Sequence, residues 1–104
     1  MVFVETRTFT RLLADYLDDE AYRSLQAHLA ERPDSGKVIR GSGGIRKVRW
    51  IASGKGNSGG VRVIYYWLTA DDQILLLTLY GKNEKEDLSS AELKVMAKLI
   101  EDLK

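Results

Sequence analysis

The stretch Val61-Arg62-Val63-Ile64-Tyr65-Tyr66-Trp67-Leu68, turned at Ala70-Asp71-Asp72-Gln73 and followed by Ile74-Leu75-Leu76-Leu77-Thr78-Leu79-Tyr80, decides the fold. Its first run is rich in Val, Ile, Tyr and Trp, side chains that fit a pleated surface. The second run is apolar at almost every position, as a central strand covered by helices on at least one side would be. Upstream, Ile45 to Ala52 alternates: Arg46, Val48 and Trp50 point one way, Lys47, Arg49 and Ile51 the other. Gly54-Lys55-Gly56-Asn57-Ser58-Gly59-Gly60 reads as a flexible hairpin loop between these two strands. Short connections among the last three strands imply an antiparallel meander.

Outward from the meander, Val2-Phe3-Val4-Glu5 is a short β-branched run and reads as a first strand. Thr6 or Thr8 can cap a helix reaching about Leu17, with Leu12, Leu13, Tyr16 and Leu17 at helical spacing. Asp18-Asp19-Glu20 reads as a break and the acidic first turn of a second helix, where carboxylates meet the positive end of the dipole. Tyr22, Leu25 and Leu29 form its stripe, and Pro33-Asp34-Ser35-Gly36 ends it. At the other end, Ser89-x-x-Glu92 fits a capping box, with Leu88 and Leu93 spaced as a hydrophobic staple. Leu93, Met96, Ile100 and Leu103 continue the stripe of that closing helix. The expectation is a single α+β domain over residues 1–104. Its antiparallel, mainly meander sheet carries two N-terminal helices and one C-terminal helix, in the order β-α-α-β-β-β-α.

Charge is distributed unevenly. The chain has 16 basic and 15 acidic residues. Yet Lys37, Arg40, Arg46, Lys47, Arg49, Lys55 and Arg62 all lie between Ser35 and Ala70, a segment without a carboxylate. Clustered positive charge releases counterions on meeting a phosphate backbone, so this segment is the expected nucleic-acid surface rather than a merely solubilising face. The absence of cysteine excludes disulfides, thiol catalysis and thiolate metal sites, and the single histidine gives no structural zinc site. No metal or other cofactor is expected. No run approaches the roughly 18 apolar residues of a membrane span, and the N-terminus does not read as a signal peptide, so a cytoplasmic protein is expected.

Strand alternation puts Lys47 and Arg49 on one face, Arg62 begins the partner strand, and Lys82 follows the apolar strand. These four are the candidate catalytic set, with Arg46, Lys55, Tyr66, Asn83 and Lys85 as candidate RNA contacts. Arginine offers a planar fork to phosphate oxygens, and lysine a compact charge or a titratable amine. Metal-free RNA cleavage needs a base for the 2′-hydroxyl, stabilisation of the phosphorane and a proton for the leaving 5′-oxygen. No histidine neighbours the cluster in sequence, and His28 reads as a helix-surface residue. Lys47, crowded by Arg46 and Arg49, is the candidate base, because neighbouring like charge disfavours the protonated amine. The two glycine loops lack the strand-loop-helix setting and GK[ST] ending of a P-loop.

The runs Gly-Gly-Ile-Arg-Lys-Val-Arg (43–49), Gly-Lys-Gly-x-x-Gly-Gly-x-Arg-x-Ile-Tyr-Tyr (54–66) and Leu-Leu-Thr-Leu-Tyr-Gly-Lys-Asn-Glu (76–84) resemble the HigB branch of the RelE-type toxins. The resemblance covers essentially the whole chain. It implies a RelE-like sandwich and a toxin of a type II toxin–antitoxin system: an mRNA interferase that cuts translated mRNA in the ribosomal A site. The implied partners are the ribosome, mRNA and a helix-turn-helix antitoxin of the HigA kind. It also implies that Lys47 and Arg49 are the family's basic pair, Arg62 its phosphate-holding arginine, and Lys82 the basic residue after the last strand. Better-known members carry an arginine and a tyrosine where this chain has Asn83 and, farther on, Leu88 or Ser89. Two other readings stand beside this one: a non-cutting ribosome or RNA binder, and a ParE-like gyrase inhibitor on the same fold.

Overall fold

The computed structural model describes residues 1–51, 60–85 and 87–103. In chain order it holds β1 (Val2–Glu5), α1 (Arg7–Tyr16), α2 (Asp19–Glu31), β2 (Lys37–Val38), β3 (Arg46–Trp50) and β4 (Val61–Leu68). A single 3-10 turn (Thr69–Asp71), β5 (Gln73–Gly81) and α3 (Ser90–Leu103) follow. The helix boundaries follow their caps. Thr6 accepts a hydrogen bond from the Phe9 amide at 3.0 Å and Asp18 from the Ala21 amide at 2.7 Å, so each satisfies a donor the first turn leaves open. At α3 the capping box closes in both directions, Ser89 N–H to Glu92 at 2.9 Å and Glu92 N–H to Ser89 at 3.1 Å.

The strands form one sheet in the order β1-β5-β4-β3-β2. β2 to β5 pair antiparallel, as the meander reading expects. β1 pairs parallel with β5, which makes the sheet mixed. Parallel partners need a long crossover, and everything between β1 and β5 supplies it. The α+β architecture stands with one element added, β2, whose two residues are too few to show a period.

The sheet is covered on both faces. Phe9, Leu17, Leu25 and Leu29 of the α1/α2 layer pack against Val61, Val63, Tyr65, Ile74, Leu76 and Leu79. On the other face Ile100 of α3, with Leu88 before it, packs against Ile45, Ile64, Leu75, Leu77 and Tyr80. A β-bulge sorts these sets. Tyr65 pairs with Leu76 but Ile64 with Thr78, leaving Leu77 as an extra residue in β5. The extra residue reverses the parity of everything after it, so Leu79 goes to the α1/α2 side and Tyr80 to the other. Thr6 sits at this irregularity. Its N–H donates to Leu76 O at 3.1 Å and its hydroxyl to Leu77 O at 2.7 Å, while the same oxygen caps α1.

Tyr65 fixes the loop after α2. Its buried hydroxyl donates to Pro33 O at 2.7 Å and accepts from Gly36 N–H at 2.9 Å. A Cβ on Gly36 would lie 2.8 Å from the Tyr65 ring, so only glycine admits this approach.

Thr6→Val removes a helix cap and a bulge hydrogen bond together. The expected loss is about 1–2 kcal/mol in urea denaturation, with Thr6→Ser keeping most of the stability.

Candidate functional site

α3 covers only part of its face of the sheet. The uncovered part lies over β3 and the start of β4, and there the alternation of β3 matters. Val48 and Trp50 pack toward the α1/α2 core. Lys47 and Arg49 face the other way. Register places Arg49 opposite Arg62, and Lys47 between Ile64 on β4 and Lys37 on β2. A groove of about 480 Å³ opens over these strands, lined by Ser35, Lys37, Lys47, Val48, Arg49, Arg62 and Lys82.

The four cations proposed as catalytic from the sequence are thus brought together on one surface. Lys82 arrives through the turn that follows β5. Glu84 N–H bonds Gly81 O at 3.1 Å, and the Glu84 carboxylate accepts from Gly81 N–H at 3.0 Å. The Tyr16 hydroxyl of α1 donates to the same carboxylate. That bond, then the Gly81 amide, hold the Glu84 carboxyl below its usual range. Burial, then Glu84, pushes the Tyr16 phenol up to about 12.

Two lining residues escaped sequence reasoning in this role, Ser35 and Lys37. Lys37 lies on a strand too short to carry a pattern, and its place follows from the Tyr65–Gly36 contact. Asp87 escaped as well. Its carboxylate meets the Lys47 ammonium at 2.5 Å, so the groove carries its own anion in this conformation. Nothing in the local sequence signals a pairing across forty residues.

The other expected contacts separate from the groove. Arg46 turns to the opposite face and donates to Asp34 O at 3.1 Å and Gly36 O at 2.8 Å, which makes it a brace of the α2–β2 loop. Tyr66 lines a different cavity, with Trp67, Leu68 and Leu103. Lys85 pairs with Glu92 at 2.7 Å and lies over the Tyr80 ring. Asn83 is exposed in the turn after β5. Lys55 and its glycine loop lie outside the described residues. His28, expected as a surface residue remote from the cluster, packs its ring on Trp50 at 5.1 Å and has Nε2 3.1 Å from Ser35 Oγ. It therefore stands directly behind a groove residue. Among the described residues, no group of three His, Asp or Glu side chains comes together as a metal site.

A family model described as the RelE toxin of the RelE / RelB toxin-antitoxin system matches residues 3–104. The chain belongs to the RelE toxin family. Its fold is also that of a solved mutant of the toxin RelE from E. coli in the free state. The two share 15% sequence identity and a TM-score of 0.53, over 82% of this chain and 86% of that one. As a RelE-family protein it is the toxin of a toxin–antitoxin pair, which implies an antitoxin partner. Among the described residues, no helix is long and apolar enough to cross a membrane.

The electrostatics of this RelE-family groove favour an anion. Arg49 and Arg62 are directly opposite, which sets two guanidinium forks side by side. An oxyanion taking both forks gains charge-assisted hydrogen bonds. Tyr80, paired with Arg62 in register, has its phenol raised by burial and next by Asp87, with Arg62 opposing. It stays a neutral hydroxyl at physiological pH.

Inorganic pyrophosphate is expected to raise the melting temperature in a concentration-dependent way, an effect lost in Arg62→Ala. Asp87→Asn removes the competing carboxylate and should strengthen pyrophosphate binding about two- to five-fold at low salt, read by calorimetry. Glu84 carries a lowered carboxyl, so its stabilising contribution is complete above its ordinary value of 4.5 and fades as pH falls through the folded value. Glu84→Gln should therefore flatten the acid limb of stability against pH.

Proposed function

We propose that the protein is a ribosome-dependent endoribonuclease of the HigB kind, cutting translated mRNA in the ribosomal A site and silenced by a cognate helix-turn-helix antitoxin. The observation that carries this reading is the convergence of Lys37, Lys47, Arg49, Arg62 and Lys82 on one groove in a chain of the RelE toxin family. Gyrase inhibition makes no use of such a groove, whereas attack on a phosphodiester does.

In this reading the scissile phosphate lies between Arg49 and Arg62. Their forks hold its non-bridging oxygens and stabilise the extra negative charge of the phosphorane. The 2′-oxygen attacks the adjacent phosphorus, the P–O5′ bond breaks, and the products are a 2′,3′-cyclic phosphate and a 5′-hydroxyl. The proton leaving the 2′-hydroxyl goes to Lys47. Incoming RNA displaces Asp87 and frees the Lys47 amine to face the 2′-hydroxyl. Lys82, held by the Gly81–Glu84 turn, faces the departing oxygen and supplies charge or a proton there. The reaction as drawn takes no metal or other cofactor.

The test is cell-free translation of a defined mRNA followed by primer extension. Wild-type protein is expected to produce new 5′ ends within translated codons only when ribosomes are present. Arg62→Ala should lower cleavage by about 10²-fold or more, the scale of losing one transition-state donor. Full activity in Lys47→Ala would remove the base assignment and leave the phosphate contacts. Arrested translation without new ends supports the non-cutting binder, and unaffected translation sends the question to gyrase.

A further inference from the structure

The groove does not end at Lys37 and Lys47. A second depression, lined by Lys37, Val38, Ile39, Arg40, Lys47 and Asp87 among others, begins at those two lysines and crosses the β2 edge. A third begins at Arg40 and runs beside Leu93, Lys94 and Ala97 of α3. A fourth shares Gly41 and Ala97 with the third and reaches Lys98 and Glu101. Each shares lining residues with the one before, so they adjoin in series, a channel of linked depressions from the arginine pair to the far part of α3.

We propose that this channel is a binding track for single-stranded RNA, continuing the strand whose phosphate occupies the groove. The proposal rests on the groove being an RNA site and adds Arg40, Lys94 and Lys98 as backbone contacts beyond it. Charge carries the argument. Cations recur along the whole path, while its carboxylates are Asp87, already paired with Lys47, and Glu101 at the far end. Arg40, Lys94 and Lys98 are exposed, and among the described residues none is held by a carboxylate. A phosphate binding there displaces no carboxylate of the described residues.

The floor between Arg40 and α3 is open as well. Gly41 and Gly43 have φ of +74° and +78°, and a Cβ on either would meet no atom within 4 Å. This shelf has room for a ribose–phosphate chain against the backbone. A chain of evenly repeated anions matches cations repeated from cleft to cleft, and an acidic peptide using Val38, Ile39 and Leu93 as anchors is the rival occupant the experiment separates.

The experiment compares 2′-O-methylated, uncleavable RNA strands of about 4 and about 12 nucleotides across a series of salt concentrations. Wild-type protein is expected to bind the longer strand about tenfold more tightly. The triple variant Arg40→Ala, Lys94→Ala, Lys98→Ala should bring the longer strand down to the affinity of the shorter one. Its slope of log K against log salt should fall by about 2, as expected for three lost phosphate contacts on a single strand. Binding of the shorter strand should not change. Equal affinity of wild type for both lengths, or a triple variant that binds the longer strand as wild type does, overturns the track. So does a polyglutamate peptide that binds wild type as tightly and depends equally on the three residues. Arg62→Ala reports separately on the groove: if it leaves the shorter strand unaffected, the functional reading fails instead.

Discussion

One unpaired residue in β5 sets the geometry of the whole functional face. The bulge at Leu77 reverses which side each later residue takes, and so it seats Tyr80 beside Arg62. Without it, Leu79 would take that place. A bulge needs its displaced carbonyl satisfied, and Thr6 does this from the opposite end of the chain while also capping α1. The first helix and β5 are thereby joined through one hydroxyl. Tyr16, one helix length later, repeats the arrangement by binding Glu84 in that turn.

The groove itself is the consequence of incomplete cover. One face of the sheet is sealed by α1 and α2 and is apolar apart from Arg46 near its edge. The other is sealed by α3 only over Ile64, Leu75, Leu77 and Tyr80. Beyond that limit the same alternation that elsewhere puts leucines under a helix puts arginines in the open. Two arginines facing each other across neighbouring strands set two guanidinium forks side by side, an arrangement one oxyanion can take at once. Lys47 is paired with Asp87, which makes that lysine exchangeable between a carboxylate and a substrate.

What could be read from residues alone follows the range of the interaction. Period-two alternation is local, so the separation of Lys47 and Arg49 from Val48 and Trp50 was legible, and with it the core of the site. Capping boxes are local too, and the starts of α2 and α3 fell where Asp18 and Ser89 put them. The parallel pairing of β1, the two-residue β2 and the bulge depend on partners outside their own segments. Lys37 and Ser35 were hidden for that reason, and so was the position of His28 behind Ser35. Arg46 shows the limit from the other side. As a basic residue in a basic run it looked like a contact to RNA, yet its alternation phase sends it to brace backbone carbonyls. Tyr66 looked like an RNA contact as well, yet distance along β4 carries it away from the groove and it packs against the α3-side core.

The bond from Thr6 to Leu77 spans 71 residues. During synthesis β1, α1 and α2 leave the ribosome long before β5 exists, and their apolar faces have no sheet to cover until it does. Burial of Phe9, Leu25 and Leu29 therefore waits for β4 and β5, and folding becomes a late, nearly all-or-none event. A truncated nascent chain lacks the register that assembles Arg49, Arg62 and Lys82. The groove is thus absent until the greater part of the chain has been made.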